Sequence, residues 1–402
     1  MIELSPTTMA HLGEAVARVD GKAHFVAGAM PGEVVLGEVV LDKGAWARVE
    51  LSSIAKPAPG RVEPPCRHFS TCGGCQWQFA GYETQLEWKT DIVAGQLRHL
   101  GRIDAPVVRP AVTAGDPYAY RNRMDFRVVA GKPALYRARS RELVPLDECL
   151  LLLPGLDRLF ARLGNLGNIR RITMRMSATT GQSLLIVDGP LPDSLDDVDG
   201  IIQRTTAGSR IVSGRGWIEE DIAGNRLRIS GSSFFQSNTA AAALLVDLAK
   251  EALEPRPGET LLDAYAGGGI FGISLAPTEG RVVAVEASRT SVRDLRRNFA
   301  AAGIDNIHIA FGPVETVVPE LGEYWQIAVV DPPRPGLGRE GVAAITAAMP
   351  RAIAYVSCDP AGLARDTTYL HSAGYELVWA APVDLFPQTF HIETVAKFER
   401  TA

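Results

Sequence analysis

Residues 260–276 read TLLDAYAGGGIFGISLA, an apolar run that passes through Ala264, Tyr265 and Ala266 into three glycines and then into a helix-like stretch. Glycine lets a backbone turn tightly and approach a ligand, and the first N–H groups of the helix behind it are free to face that ligand. Further apolar runs follow: RVVAVE ends at Glu286, QIAVVDPPRPG carries Asp331, and AIAYVSC ends at Cys358. Apolar strands alternating with amphipathic helices after about Gly231 predict an α/β fold with a doubly wound, Rossmann-like parallel sheet. In such a sheet the crevice lies beyond the carboxyl ends of the strands, so Tyr265, Glu286, Asp331 and Cys358 converge on one site.

Glu286 stands 23 residues beyond Asp263, about where a carboxylate meets ribose hydroxyls in a nucleotide-type crevice. Blander roles compete. Asp263 is suited to ordering the glycine loop, Glu286 to capping a surface, and Pro332-Pro333 to ending a strand. GGGIFG does not set G-x-G-x-x-G in register with the strand, which disfavours a dinucleotide. A D-x-Y-x-G-x-G-I-F loop followed by DPPR suits S-adenosylmethionine better.

Cys358 stands alone in AYVSCDPAGLARD. An isolated cysteine is more often an inert core residue than a nucleophile. A strand end beside the crevice reverses that preference, and Arg365 is near enough in sequence to favour the thiolate. Methylating a pyrimidine carbon needs such help, because C5 of uracil becomes nucleophilic only after something adds at C6. A base must then remove the C5 proton before the thiolate leaves. FPQTFHIETVAKF offers His391 and Glu393, and in an alternating strand they share a face, so position does not choose between them.

The other four cysteines form a second group. Cys66, Cys72 and Cys75 make a C-x5-C-x2-C cluster that Cys149 is available to complete, a pattern suited to a metal or an iron–sulfur site. Spacing alone leaves structural zinc equally open.

Ahead of the cysteines, the runs EAVARVD, HFVAGAM, EVVLGEVV and WARVELSSI alternate with glycine, aspartate and proline turns, predicting a small oligonucleotide-binding type of β-barrel. KPAPGRVEPPC reads as a linker. Leu86, Val93, Leu97 and Leu100 at helical spacing predict a helix that stops at Gly101. From Arg102 to Arg141 nine Lys/Arg stand against three Asp, with Tyr118, Tyr120, Phe126 and Tyr136 interleaved. Alternation in YRNRMDFRV puts Arg121, Arg123, Asp125 and Arg127 on one face, a stripe suited to RNA. PLPDSLDDVDG is a short acidic loop. Three domains are expected: residues 1–57 as the barrel, 58–230 as a β-rich cysteine-bearing centre, and 231–402 as the crevice domain.

At 402 residues, 46% of them hydrophobic, the chain is long enough for two or three cores. A net charge of −5 does not by itself advertise a nucleic-acid binder. The start lacks a leader-like pattern, and no stretch approaches the ~18 apolar residues of a bilayer span, so a cytoplasmic protein with no membrane partner is expected. In that reducing compartment clustered cysteines argue for ligation over disulfides.

EPPCRHFSTCGGCQWQ, YRNRMDF, SFFQSN, LLDAYAGGGIFG, VVAVEAS, VVDPPRPGLG, YVSCDPAGLARD and DLFPQTFHIETV, in that order, make the chain resemble the bacterial 5-methyluridine RNA methyltransferases of the TrmA/RumA family from about Gly13 to Phe398. The resemblance implies a class I S-adenosylmethionine-dependent methyltransferase domain behind a TRAM-like barrel. It implies Cys358 as nucleophile and Glu393 as base, with Gln236, Tyr265, Glu286 and Asp331 as cofactor contacts. It also implies a [4Fe-4S] cluster on Cys66, Cys72, Cys75 and Cys149; whether zinc or iron–sulfur, a site so far in sequence from the methyl-transfer residues is expected to organise the RNA-binding domain. Barrel and cysteines together resemble the 23S ribosomal-RNA branch more than the tRNA branch. One position departs: relatives often carry an asparagine after the glycine loop where this chain has Ile270. Two other readings are cytosine-C5 methylation and an RNA-binding assembly factor with a vestigial methyltransferase fold. A monomer is expected.

Overall fold

The computed structural model describes residues 1–191 and 198–401. Most of the acidic loop expected over residues 190–200 lies outside them. Three large sheets and one hairpin carry the chain.

The C-terminal sheet has seven strands in the order Ile307–Phe311, Arg281–Glu286, Thr260–Ala264, Ile327–Val330, Ala352–Ser357, Glu393–Arg400 and Tyr375–Val383. The first five are parallel and the last two run antiparallel to their neighbours. Every residue of Ile327–Val330 and Ala352–Ser357 is buried. Central parallel strands covered on both faces require such unbroken apolar runs. Helices between the strands supply the cover, as in Thr239–Leu253, where Asn238 accepts the Ala241 N–H and closes the first turn.

The N-terminal sheet runs Ile2–Leu4, Val34–Asp42, Trp46–Lys56, Lys22–Val26, Ala15–Val19, Thr8–Met9. The expected strands are present, and two short ones precede them. Register shifts along Val34–Asp42 bend that strand. The end strands Ile2–Leu4 and Thr8–Met9 do not pair with each other, so the ladder does not close into the barrel expected from the sequence.

The central sheet runs Gly208–Gly214, Gly200–Thr205, Ser183–Asp188, Arg171–Met176, Arg123–Val129, Lys132–Tyr136, Leu143–Pro145, and the hairpin Trp217–Ile222/Asn225–Ser230 follows it. Asn122 joins it to the start of the helix Thr239–Leu253 that covers the C-terminal sheet: Nδ2 donates to the Gln236 carbonyl at 3.0 Å and to Thr239 Oγ1 at 2.9 Å. One apolar core continues from the N-terminal sheet through Trp77, Trp88 and Val93 to Leu262, Val330 and Tyr355. The cysteine-rich loop and the helix Tyr82–His99 are thereby wedged against the crevice-bearing sheet. Among the described residues no helix is long and apolar enough to cross a membrane.

Candidate active site

Arg281–Glu286, Thr260–Ala264, Ile327–Val330 and Ala352–Ser357 are adjacent and parallel, so Glu286, Tyr265, Asp331 and Cys358 stand at one edge of the sheet. Tyr265 has φ +64°, a left-handed conformation unusual outside glycine, and its hydroxyl donates to Glu315. Glu286 accepts the N–H of Gly267 on Oε2 at 2.8 Å and of Ser288 on Oε1 at 2.6 Å, bracing the glycine loop. Asp263 accepts the Gly272 N–H at 2.8 Å, the ordering role expected of it, while its buried Oδ1 has no hydrogen-bond partner. Burial pushes the carboxyl groups of Asp263 and Asp331 up to about 7. Gln236 is buried just ahead of the cap Asn238.

Cys358 is half-buried at the end of its strand. Burial first, then the carboxylates of Glu393 and Asp331, push its thiol up to about 12, and Arg334 opposes them. Glu393 lies level with it, because Ser357 pairs with Thr394 in the antiparallel ladder. Its carboxyl is 4% exposed and sits well above the usual range, by burial first and then by Asp331. His391 lies elsewhere. The strand begins only at Glu393, so the shared face expected for the two residues does not form. The His391 ring packs on Phe390 and Phe386, and burial with nearby Arg334 and Arg121 pushes its pKa down to about 4.

The tRNA (uracil-5-)-methyltransferase family matches residues 197–318 and 319–401. An RNA methyltransferase of Gloeobacter violaceus is 36% identical over 98% of this chain and 95% of its own length. One of Halalkalibacterium halodurans is 31% identical, with 99% and 97% covered. The crystal structure of Pyrococcus abyssi tRNA (uracil-54, C5)-methyltransferase in complex with S-adenosyl-L-homocysteine superposes with a TM-score of 0.80 at 25% identity, covering 99% of this chain and all of that one. The chain belongs to this uracil-5 methyltransferase family.

In this RNA uracil-5 methyltransferase the segment leading into Glu393 is held by groups that sequence reading passed over. Lys89, with no exposed surface, donates to Asp384 Oδ1 at 2.6 Å and to the carbonyls of His391 at 3.0 Å and Phe386 at 3.2 Å. Gln85 donates to Gln388 Oε1 at 3.0 Å and accepts the Gln388 N–H at 3.1 Å. Neither is visible in the sequence, since Lys and Gln on a helix normally face water. Lys89→Met removes the partner of a buried carboxylate and is expected to cost about 3–5 kcal/mol. A urea titration reads that loss as a lowered midpoint, and Lys89→Met/Asp384→Leu should recover much of it.

His11, from the N-terminal sheet's loop, also reaches the methyltransferase crevice, with Nε2 3.0 Å from Asp359 Oδ1. No local sequence signal marks it. Arg334, by contrast, stands in DPPRPG and was open to recognition. Arg365 does not face Cys358 as its place in the sequence suggested. It donates to Asp366 Oδ1 at 2.7 Å and to the Pro335 carbonyl, while Asp366 accepts the Leu337 N–H at 2.7 Å, so the pair holds the loop after DPPR.

Cys66, Cys72, Cys75 and Cys149 line one cavity of about 260 Å³. Burial pushes Cys75 up to about 12 and Cys149 to about 11, and neighbouring thiols add to both. Among the described residues, no set of three or more His, Cys, Asp or Glu is arranged to hold a metal ion, so the arrangement supports neither the expected [4Fe-4S] cluster nor a structural zinc. The cavity is not remote from the crevice, although its residues are remote in sequence: His391 and Arg121 share its lining, and the Gln76 and Trp77 N–H groups donate to the Gln388 carbonyl at 3.0 and 3.1 Å.

The basic stripe forms only in part. Arg123, Asp125 and Arg127 alternate with buried Met124 and Phe126, but Arg121 precedes the strand and lines the cysteine cavity. Arg123 pairs with Asp125 at 3.2 Å, Arg137 with Glu142 at 2.8 Å and Arg139 with Glu14 at 2.8 Å. Part of that charge is balanced within the protein.

Proposed function

We propose that this enzyme uses S-adenosylmethionine to methylate C5 of a uridine in 23S ribosomal RNA, with Cys358 as nucleophile and Glu393 as base. The observation that carries the reading is the placing of Cys358 level with Glu393, beside Asp331, at the carboxyl edge of the sheet. When bound, S-adenosylmethionine supplies the electrophilic methyl group. Gln236, Tyr265, Glu286 and Asp331 are its contacts in this reading, and the half-buried Asp331 carboxyl group, when ionised, fits a cationic ligand. Ile270 packs among apolar side chains and offers the cofactor no hydrogen bond, a difference of about 1 kcal/mol.

The target base leaves its stack to reach the crevice. The Cys358 thiolate would bond to C6, and the electron pair moved to C5 would take the methyl group as its bond to the sulfonium sulfur breaks and leaves S-adenosylhomocysteine. Glu393 accepts the C5 proton, and the returning electrons break the S–C6 bond and regenerate the thiolate. Because the thiol sits at about 12, its ionised fraction grows about tenfold per pH unit below that value. Covalent capture of 5-fluorouridine RNA should therefore accelerate about tenfold per unit from pH 7 to 9. A flat profile would mean a thiol already ionised at neutrality.

The four cysteines would hold a [4Fe-4S] cluster, supported by their common cavity. A brown protein with broad visible absorption, lost in Cys75→Ser, is the expected result. The N-terminal sheet serves as a TRAM-like, oligonucleotide-binding RNA clamp over residues 1–57, residues 58–230 form the cluster-bearing domain, and residues 231–402 form the methyltransferase domain. The enzyme works in the cytoplasm as a monomer. A tRNA target is the second reading, favoured by the likeness to the Pyrococcus abyssi tRNA enzyme. Mapping 5-methyluridine in ribosomal and transfer RNA from a deletion strain tests the function. Loss of one 23S site is the expected outcome, loss of a tRNA site selects the second reading, and no loss from either RNA contradicts both.

A further inference from the structure

Arg123, Arg137 and Arg139 of the basic segment are held in ion pairs, whereas another set of arginines has none among the described residues. The helix Arg289–Ala301 carries Arg289, Arg293, Arg296 and Arg297, all exposed, at spacings i, i+4, i+7 and i+8 that place them on one face. Arg215 and Arg228 join them across Trp217, their guanidinium carbons 4.9 and 4.4 Å from its ring centroid. Asn298 locks helix to hairpin, accepting the Arg228 N–H at 2.8 Å and donating to the Arg228 carbonyl at 3.1 Å. Arg297 and Arg293 lie close enough to Arg228 that, with burial, their charges depress its pKa.

Two carboxylates are near. Asp294 is buried and committed to Ser230 and Ser233, with the Arg228 Nε 3.6 Å away. Glu219 accepts from Gln182 at 3.4 Å and adds a weak attraction to Arg228. No ion pair forms to Arg289, Arg293, Arg296 or Arg297 among the described residues. Like charges at i, i+4 weaken a helix, and a chain with 46 acidic residues has ample means to neutralise them. The cluster is unfavourable alone and favourable against a polyanion.

We propose that this arginine face, with Arg215 and Arg228, binds the phosphodiester backbone of the substrate RNA away from the target uridine. Position supports the assignment. The helix begins just after Glu286, and the Asn298 Nδ2 donates to the Gly268 carbonyl at 2.8 Å, so the face starts at the rim of the crevice and runs outward. The proposal rests on RNA being the substrate and is independent of the role of Cys358.

Fluorescence anisotropy with a folded tRNA transcript and a 23S fragment, in 50–200 mM KCl, tests it, the tighter-binding RNA carrying the comparison. Arg293→Glu/Arg297→Glu should raise Kd at least about tenfold and flatten the salt slope by about 2, near 0.9 per lost phosphate contact. Affinity for S-adenosylmethionine should not change, and Arg293→Lys/Arg297→Lys should keep most of the slope. Wild-type Kd and slope in the folded charge-reversed variant overturn the proposal. So does lost cofactor binding with unchanged RNA affinity, which would make the helix only a support for the glycine loop. If charge reversal unfolds the protein, Arg293→Gln/Arg297→Gln carries the same measurement. Cys358→Ala should bind RNA like the wild type, so an error in the nucleophile is read separately.

Discussion

Cys358→Ala is expected to lower turnover at least about 10⁴-fold while the dissociation constants for RNA and S-adenosylmethionine stay within about twofold. The size follows from the chemistry, since removing a covalent nucleophile removes the route itself and leaves only binding and positioning. Retained binding follows from the structure: Cys358 is a half-buried side chain at a strand end, and its loss leaves the strand ladder and the glycine loop untouched. Single-turnover transfer of labelled methyl groups, with binding measured separately, reads both halves. Cys358→Ser tests the thiolate further. A hydroxyl fills the same space but ionises far less readily, so it should fall near the alanine variant. Activity within tenfold of wild type in either variant would remove Cys358 from the mechanism.

The second large effect is at Glu393. Glu393→Gln keeps shape and burial but removes the acceptor of the C5 proton, for which a loss of about 10²–10⁴ in turnover is expected. The distinguishing sign is where the reaction stops. Addition and methyl transfer precede proton removal, so the variant should accumulate a protein–RNA adduct on unmodified RNA that survives denaturing electrophoresis. His391→Ala should not do so, because its ring faces Phe386, Phe390 and the cysteine cavity. Rapid turnover by Glu393→Gln, or adduct accumulation by His391→Ala, would exchange the two assignments.

The crevice was legible because each contributor ends an apolar run: Tyr265, Glu286, Asp331 and Cys358 needed only strand recognition and the rule about parallel strand ends. The separate placing of Glu393 and His391 was not, since it depends on where the last strand begins, and DLFPQTFHI carries no alternation to mark that start. Lys89 and Gln85 were invisible because helical periodicity assigns polar residues to solvent, whereas here they satisfy a buried loop. The basic stripe was legible only in part, for a related reason. Counting charge along 102–141 does not reveal that Glu14 comes from another sheet to meet Arg139. The nearness of the cysteine cavity to the segment leading into Glu393 was hidden by some three hundred residues of sequence between Gln76 and Gln388, which two backbone hydrogen bonds close.

Peptide mapping by mass spectrometry of the wild-type adduct on 5-fluorouridine RNA locates the bond between enzyme and pyrimidine, because fluorine at C5 cannot leave as a proton and the intermediate is trapped. The account predicts a single modified peptide, with a methylated fluorouracil nucleotide attached through the sulfur of Cys358. A linkage at another cysteine, or transfer of methyl to natural RNA with no adduct on the fluorinated one, would contradict it.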